Sequence, residues 1–365
     1  MQYIDSQYIS VLINSLKNMR KSVQKVGLLV LLAMSAMMSG FAQDDAQFTF
    51  FPWVTSYYNA GGIGEQHNTL CFTADYNNKY LGWGDLSSTA INNDSALKTA
   101  PQDFLFSIES YLKKLHGSIG VTLVHDRLGF YSNTGVKLGY AYKLRVGGGH
   151  LGIGAQVSLY NQSIDPTWKP TQEGDPILSQ LSESTLDLDF NFGVLYKADQ
   201  WYLGVGWTQI AALFDKNQAL RVSGEYGSRR SSQLYVHGGY TWVVPFNPNW
   251  EVIPQALVKT DFKEYQWEIL ALARYNGVYW GGIGYRFQDV ASLAFGARPF
   301  YNSSNIYLKG LDLGISYGIP TNSLAYKKHR SFGDIEVVVR YCFDIYKPEI
   351  FSGYGNSRYI YKNRY

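Results

Sequence analysis

The residues YQWEILALARY, at 265–275, alternate in chemistry with a period of two. One set is apolar with a ring at each end and the other carries an amide, an acid and a base: Tyr265, Trp267, Ile269, Ala271, Ala273 and Tyr275 against Gln266, Glu268, Leu270, Leu272 and Arg274. Successive side chains of a β-strand point to opposite faces. The stretch therefore predicts a strand with an apolar face bordered by rings at both ends and a polar face behind it.

The same alternation recurs along the chain. It is clearest in LDLDFNFGV (186–194), LDLGISYGI (311–319) and DIEVVVRYCFD (334–344). Most of these runs have about 9 to 13 residues, the length that a tilted strand needs to cross a bilayer. They number about fourteen, at 68–79, 102–114, 118–126, 135–145, 149–162, 185–197, 201–211, 232–244, 249–260, 264–276, 278–288, 291–301, 310–319 and 334–345.

The predicted connections sort by length. Long polar segments follow the first, third, fifth, seventh and thirteenth strands, at 80–101, 127–134, 163–184, 212–231 and 320–333. Tight turns such as LHG, GGG, ADQ, PFNPN and NG follow the even-numbered strands up to the tenth, and the connections after the ninth and eleventh are also short. Long loops on one side and short turns on the other are typical of outer-membrane barrels.

We therefore predict an all-β fold, a transmembrane outer-membrane β-barrel of about 14 antiparallel strands with both termini in the periplasm. A soluble β-sandwich with a similar number of strands is the alternative. It would not sort its loops in this way, nor place rings at both ends of an outward face.

The first 42 residues have the composition of a leader. A basic start at Met19–Lys25 precedes an apolar run at 26–38 and small residues at Gly40 and Ala42. This order is typical of a secretory signal peptide cleaved after about Ala42, with 1–18 as an upstream extension. A membrane anchor is the alternative, but a spanning helix needs about 20 apolar residues.

Cleavage at that point leaves a neutral chain. It removes four of the 32 basic residues and one of the 29 acidic ones, so that 28 of each remain. Nucleic-acid binding requires a basic footprint. We therefore expect no nucleic-acid partner.

The remaining sequence divides into three parts. Residues 43–66 form an N-terminal periplasmic or plug segment, 67–345 the barrel and 346–365 a periplasmic C-terminal tail. The N-terminal segment carries many rings, at Phe48, Phe50, Phe51, Trp53, Tyr57 and Tyr58. So many rings are costly to leave in water, and we expect the segment to fold into or against the barrel.

Two neighbouring residues of the opening stretch make the assignment of faces testable. Ala271 belongs to the apolar set and is expected to face lipid, whereas Leu270 is expected to face the lumen. An arginine on the lipid face at mid-bilayer costs about 2–4 kcal/mol. The alternation alone therefore predicts that arginine is tolerated better at Leu270 than at Ala271.

Inward-facing charges on the later strands predict a charge network within the lumen. Its members are Glu268, Arg274, Arg286, Arg298, Glu336 and Arg340, with Asp334 as a further partner. A network that fills the interior is one interpretation. An anion-selective wall or a docking patch is the other, because inward charges tune selectivity in such barrels.

The two cysteines fall on the inward faces of the first and last predicted strands. Cys71 shares its face with Thr69, Thr73 and Asp75, and Cys342 lies between Arg340 and Asp344 on its own face. These strands must pair to close a barrel, and the periplasm is oxidising. A disulfide across the closure and two buried thiols out of register both remain open, since sequence does not determine the register.

No motif for catalysis or for a cofactor is apparent. The histidines, at His67, His116, His125, His150, His237 and His329, are scattered and no pair has metal-ligand spacing with a carboxylate nearby. The glycine-rich stretches GGIGEQ and GGIGYR do not open a helix after a buried parallel strand. We therefore expect no cofactor, no metal and no enzyme activity.

The C-terminal half contains VIPQALVKTDFKEYQWEILALARYNGVYWGGIGYRFQDVASLAFG, followed by LDLGISYGIPTNSL and FGDIEVVVRYCF. These segments resemble the PorP/SprF family of type IX secretion and gliding-motility membrane proteins of the Bacteroidetes. AQDDAQFTFFPWVTSYYNAGGIGEQ is similar to the opening of that family, and GDPILSQLSESTLDLDFNFGVLYKADQWYLGVGWTQI to its middle. The most specific pieces are YRFQDVA, at 285–291, and the approach to the last strand.

The chain departs from the family pattern at three places. Asn59-Ala60-Gly61 stands where the family often has Asn-Pro-Ala, and Ser316-Tyr317-Gly318 where it has Ser-Tyr-Asp. Asp334-Ile335 precedes Glu336 where the family has Ser-His-Glu.

The resemblance implies an outer-membrane barrel that works with the type IX machinery. Such a protein either links to the periplasmic ring or retains an exported surface protein such as an adhesin. Its partners are then outer-membrane lipid and these secretion components. A passive porin or a channel for hydrophobic solutes is the alternative function.

The tail after the last strand is a candidate docking peptide. It ends in a basic aromatic cluster of Arg358, Tyr359, Tyr361, Lys362, Arg364 and Tyr365. Tyrosine and arginine are the residue types that anchor interfaces. A disordered end is the alternative, because chain termini usually fray unless they are tied down.

Overall fold

The alternating runs form the strands of one antiparallel sheet that closes on itself. The computed structural model describes residues 45–65, 69–81, 100–129, 131–164, 183–214, 221–223, 231–303, 305, 308–321 and 331–345. Fourteen long strands make the wall, and two short ones extend it. The prediction of an all-β, 14-stranded barrel is confirmed.

The strands follow the predicted runs closely. They are β1 (Thr69–Asn78), β2 (Gln102–Leu112), β3 (Gly117–Leu128), β4 (Tyr131–Val146), β5 (Gly149–Ile164), β6 (Glu183–Lys197), β7 (Trp201–Thr208), β8 (Arg221–Ser223), β9 (Gln233–Tyr240), β10 (Trp242–Val243), β11 (Trp250–Thr260), β12 (Tyr265–Tyr275), β13 (Tyr279–Arg286), β14 (Val290–Ala297), β15 (Leu311–Pro320) and β16 (Asp334–Asp344). Short β8 pairs with β6, and short β10 continues β9 along β11.

The barrel closes between its first and last strands. β1 pairs with β2 on one side and with β16 on the other, in a register that sets Cys71 opposite Cys342. The two cysteines form a disulfide in the structure, with Cα atoms 4.1 Å apart. Closure leaves neither end of the sheet order without a strand partner. This satisfies the backbone groups that a bilayer cannot hydrogen-bond.

The wall is apolar outside and polar inside. On β4, Leu138 is 60% exposed, whereas its neighbour Lys137 is completely buried. A soluble protein would reverse this order, because burial of a charge without partners is costly. The inversion shows that the outer face meets lipid and that the inner face has its own polar partners.

Rings pair at both ends of the wall. At the end with short connections, Trp250 lies against Tyr275 with ring centroids 4.9 Å apart. At the opposite end, Trp267 stacks on Phe287 at 4.9 Å. Amphipathic rings are most stable at the two membrane interfaces. We call the first end the turn end and the second, where the 79–101 connection lies, the loop end.

One predicted connection is much shorter than expected. The polar residues at 127–134 indicated a loop, but β3 continues to Leu128 and β4 begins at Tyr131. Their register is unbroken to the last pair, Leu128 with Tyr131. Polar residues at strand ends beyond the bilayer do not differ in pattern from loop residues, and the alternation could not separate the two.

The N-terminal segment, residues 45–65, lies inside the barrel. It contains a short helix, α1 (Thr55–Tyr58), and a 3₁₀ turn at Ala60–Gly62. Its rings Phe50 and Phe51 are 0% and 2% exposed and belong to the main core of the described chain. In the described part of the chain, no helix is both long and apolar enough to span a membrane.

The filled lumen changes the expected effect of arginine on β12. Leu270 does face inward, but it is fully buried in the core rather than bathed in water. An unpaired charge there would cost about 3–5 kcal/mol, against about 2–4 kcal/mol for Arg on the lipid face. We therefore expect Leu270→Arg to destabilise the barrel at least as much as Ala271→Arg, in contrast to the expectation from alternation alone.

The measurement is the temperature at which the folded, fast-migrating form is lost on gels. Leu270→Met is the matched control, since it preserves volume and polarity. A Leu270→Arg barrel as stable as the wild type would show that water reaches this position.

Candidate functional site

The N-terminal segment runs the length of the lumen. At the loop end, Asp45 accepts hydrogen bonds from Gln209 (Nε2 to Oδ1, 2.7 Å) and Tyr235 (Oη to Oδ2, 3.0 Å). At the turn end, Glu65 pairs with Lys197, the last residue of β6. The sequence left a periplasmic segment and a plug open. In the structure the segment lies in the lumen, and its first described residue, Asp45, lies at the opposite end of the barrel from Thr69, where β1 begins.

A carboxylate of the wall binds two backbone amides of the segment. Glu336 Oε2 accepts from the N–H of Thr49 at 2.7 Å, and Oε1 accepts from the N–H of Phe50 at 2.8 Å. Glu336 is 1% exposed. Buried backbone N–H groups need acceptors of this kind, so this residue fixes the segment to β16.

Wall side chains also donate to the carbonyl groups of the segment. Lys137 Nζ donates to the carbonyl of Tyr57 at 2.6 Å and lies 3.9 Å from the centre of the Tyr57 ring. Further donors include Gln156 to Ser56 (2.9 Å), Lys143 to Gly61 (2.9 Å) and Asn77 to Gln47 (2.9 Å). Buried backbone groups need such partners, and these bonds replace the water that the segment has displaced.

Asn59 joins the segment to two strands, β6 and β9. Its amide nitrogen donates to the carbonyl of Val194 at 3.1 Å and lies 2.8 Å from Nε2 of His237. Its amide oxygen accepts from the N–H of Gly61 at 2.9 Å and so caps the 3₁₀ turn. All hydrogen-bonding atoms of this fully buried side chain are in use.

The segment touches the wall where the wall has no side chains. Gly154, Gly193 and Gly206, on β5, β6 and β7, face the turn at 59–61 directly, and we call them the glycine track. A Cβ atom at Gly154 would lie 2.1 Å from the Ala60 carbonyl oxygen, and one at Gly206 would lie 2.0 Å from that of Tyr58. Only glycine allows the two backbones to approach this closely.

A small cavity lies between the segment and the wall. The cavity beside Phe48 and Phe51, bounded on the other side by β9, β11 and β12, has a volume of about 30 Å³. This is room for about one water molecule. The cavity is therefore too small to conduct solutes.

The predicted charge network divides into separate groups. Arg286 binds Glu268 (Nε to Oε2, 3.0 Å) and Asp289 (Nη1 to Oδ2, 3.1 Å) near the loop end. Arg274 pairs with Glu251 (Nη2 to Oε2, 2.5 Å) at the turn end. Opposite charges at the same height therefore pair locally within the lumen.

The remaining predicted members have other partners. Arg298 binds Asp312 (Nε to Oδ2, 3.3 Å), which also accepts from the indole nitrogen of Trp280 at 2.9 Å. Asp334 accepts from the N–H of Tyr80 at 2.7 Å and so holds the 79–101 connection. Arg340 lies opposite Asp312 in the register, and its Nε is buried without a hydrogen-bond partner among the described residues.

One further ion pair lies at the loop end. Lys79, just beyond β1, places its Nζ 3.0 Å from Oδ2 of Asp103. Burial lowers the pKa of Lys79, but the attraction of Asp103 outweighs it and raises the pKa above its usual value. Lys79 therefore stays protonated at neutral pH and neutralises one of the acids there.

Several site residues lie outside the reach of sequence patterns. The sequence patterns gave no role to Lys137 and Gln156, and they named Asn59 only within a departure from the family pattern. The tail residues lie outside the described residues: Arg358, Tyr359, Tyr361, Lys362, Arg364 and Tyr365. The glycine spacing of GHLGIGAQ and YLGVGW, on β5 and β7, was an available signal, since alternate glycines on one strand face indicate close approach of another backbone. Within the described ranges, no group of three or more potential ligands could hold a metal ion.

The closed wall with its lipid-facing outer surface, paired rings at both ends and occupied lumen defines an integral outer-membrane β-barrel. The chain belongs to the PorP/SprF family of type IX secretion system membrane proteins, whose model matches residues 41–341. The resemblance found in the sequence is thereby confirmed. No curated protein matches the chain.

Solved structures of other outer-membrane barrels are similar at low identity. A FadL homologue of Pseudomonas aeruginosa is 11% identical, over 79% of this chain and 93% of its own, with a TM-score of 0.42. The toluene transporter TodX of Pseudomonas putida is 10% identical, over 84% and 95%, with a TM-score of 0.44. The outer membrane phospholipase A of Escherichia coli is 11% identical, over 77% and 98%, with a TM-score of 0.29. These values are too low to transfer an activity.

The glycine track should not tolerate a methyl group. Gly154→Ala and Gly206→Ala each place a Cβ atom against backbone of the segment, and overpacking of this kind costs about 1–3 kcal/mol. We expect the segment to become accessible to protease while the barrel remains folded. Gly148→Ala is the matched control, since no atom lies within 4 Å of a Cβ there. Equal protease resistance in all three variants would contradict the close contact.

Loss of the Glu336 carboxylate should release the amides of Thr49 and Phe50. We expect Glu336→Leu to reduce the local free energy of opening by about 2 kcal/mol, because two buried hydrogen bonds are lost. Hydrogen exchange of the peptide that contains these residues should accelerate roughly 30-fold. Glu251→Leu, which breaks an ion pair away from the segment, should leave that peptide unchanged. Full protection in the Glu336 variant would show that other contacts suffice.

Proposed function

We propose that this protein is an anchoring component of the type IX secretion machinery and neither a channel nor an enzyme. It either links the machinery to its periplasmic ring or retains an exported surface protein. The observation that carries the proposal is the combination of the family match over residues 41–341 with a lumen that its own N-terminal segment occupies. Because the lumen of the barrel is filled, partners would bind at the two ends of the barrel and not in its interior.

The contacts of the segment favour an anchor over a pore. Side chains from β1, β4, β5 and β16 bind its backbone at Gln47, Tyr57, Ser56 and Thr49. A passive porin or a hydrophobic-solute channel, which is the second candidate function, would have to break many of these bonds at once. The cavity of about 30 Å³ beside Phe48 and Phe51 has room for about one water molecule, which favours a plug over a pore.

The tail provides one candidate contact with a periplasmic partner. β16 ends at Asp344 at the turn end, and the basic aromatic residues at 358–365 follow it in the sequence. Rings and arginines are the usual anchors of interfaces. We propose that this tail docks a periplasmic component of the machinery.

Purification from native membranes tests the anchoring role. We expect the full chain to bring down either periplasmic ring proteins or one large exported surface protein. A chain in which 353–365 is replaced by a Gly/Ser stretch of equal length should insert normally but lose a ring partner. If that variant still brings down the ring partner, the tail does not dock it. If the full chain is recovered without any partner, the result contradicts the anchoring role.

Conductance in planar bilayers tests the rival function. The purified chain should show no steady current, because the segment blocks the lumen. Gly206→Ala, which loosens the segment, should show intermittent current, with Gly148→Ala as the silent control. A large, steady current through the unaltered protein would favour the porin.

A further inference from the structure

We propose that the N-terminal segment crosses the outer membrane inside the barrel, so that the mature N-terminus opens on the outer face of the cell. This places the beginning and the end of the segment on opposite sides of the membrane. The proposal rests on the path of residues 45–65 and is independent of which partner the protein holds.

The contacts at the start of the segment lie at one end of the wall. Asp45 is bonded to Gln209, just beyond the loop end of β7, and Gln47 to Gln266, the second residue of β12 (Nε2 to Oε1, 2.7 Å). Next, Phe50 is bonded to Glu336, the third residue of β16. All three wall residues lie at the loop end.

The second half of the segment lies lower in the barrel. Tyr57 meets Lys137 in the middle of β4. Gly64 then donates its N–H to Oε2 of Glu109 at 2.7 Å and accepts from Oγ of Ser118 at 3.2 Å, on strands that meet at the turn end. Trp53 makes an earlier contact near the turn end, since its Nε1 donates to Oδ2 of Asp312, the second residue of β15, at 3.4 Å. The first and last contacts of the segment nevertheless lie at opposite ends of the barrel. The segment is therefore a full traverse and not a loop that enters and leaves by one mouth.

The length of the traverse matches a membrane crossing. A strand such as β12 advances about 3.3 Å per residue and tilts by roughly 40°, so its described length covers a hydrocarbon layer of about 25 Å. The segment spans the same height with a compact path through α1 and the 3₁₀ turn. In barrels of this kind the long loops face outward and the short turns face the periplasm. Asp45 therefore lies toward the cell exterior.

Epitope insertions test the topology. One tag is placed between Gln43 and Asp44, a second in the β13–β14 turn at Gln288 and a third in the β2–β3 turn at Lys114. We expect antibody to detect the first two on intact cells, and the third only after the outer membrane is permeabilised. Heat-modifiable mobility on gels confirms that each tagged barrel is folded.

A second measurement uses a chain without inserted tags. In a Gln43→Ala variant, whose N-terminal amine cannot cyclise, a membrane-impermeant amine reagent applied to intact cells should label the N-terminal peptide but not Lys114. An N-terminus that is protected together with Lys114, in tagged and untagged chains alike, would overturn the proposal. An N-terminus that is protected together with the Gln288 tag, while Lys114 is labelled, would also overturn an exterior N-terminus, because it would mean that the barrel is inserted the other way round.

Discussion

A polypeptide enclosed in a barrel has no water to satisfy its N–H and C=O groups, and this constraint organises the interior of the protein. Wall side chains supply what water would have supplied: Glu336 accepts from two amides, and Lys137 and Gln156 donate to carbonyls. The segment's own Asn59 caps the turn that follows. A charged residue is tolerated in such a place only when it is hydrogen-bonded. The inward charges are thus explained by the segment at least as much as by one another.

The fold could be read from the sequence because the signal is local. Alternation with a period of two places each side chain on one face or the other, and it located all fourteen long strands to within a few residues. The rings at 48–58 also indicated a buried segment, and Phe50 and Phe51 lie at the centre of the core. Hydropathy alone gave neither result.

The partners could not be read in the same way. Glu336 and Phe50 are 286 residues apart in sequence, and no pattern around either residue names the other. The sequence suggested an arginine as the ion-pair partner of Glu336. Arg286, however, pairs with Glu268 and Asp289. The sequence placed Leu270 correctly on the inner face, but it did not show that this face is packed rather than hydrated. Alternation distinguishes inside from outside, and it carries no information on how the interior is filled.

The glycine track has a consequence for exchange between relatives. Gly154, Gly193 and Gly206 have no side chains, so the wall at this point lies directly against the backbone of the segment. The close contact therefore depends on the conformation of the segment as well as on the three glycines. A segment grafted from another family member, with a different turn after its asparagine, would not fit the surface that these three glycines form. The segment and strands β5, β6 and β7 should therefore be inherited as one unit. In a functional chimera of two relatives, these four elements would have to come from the same relative.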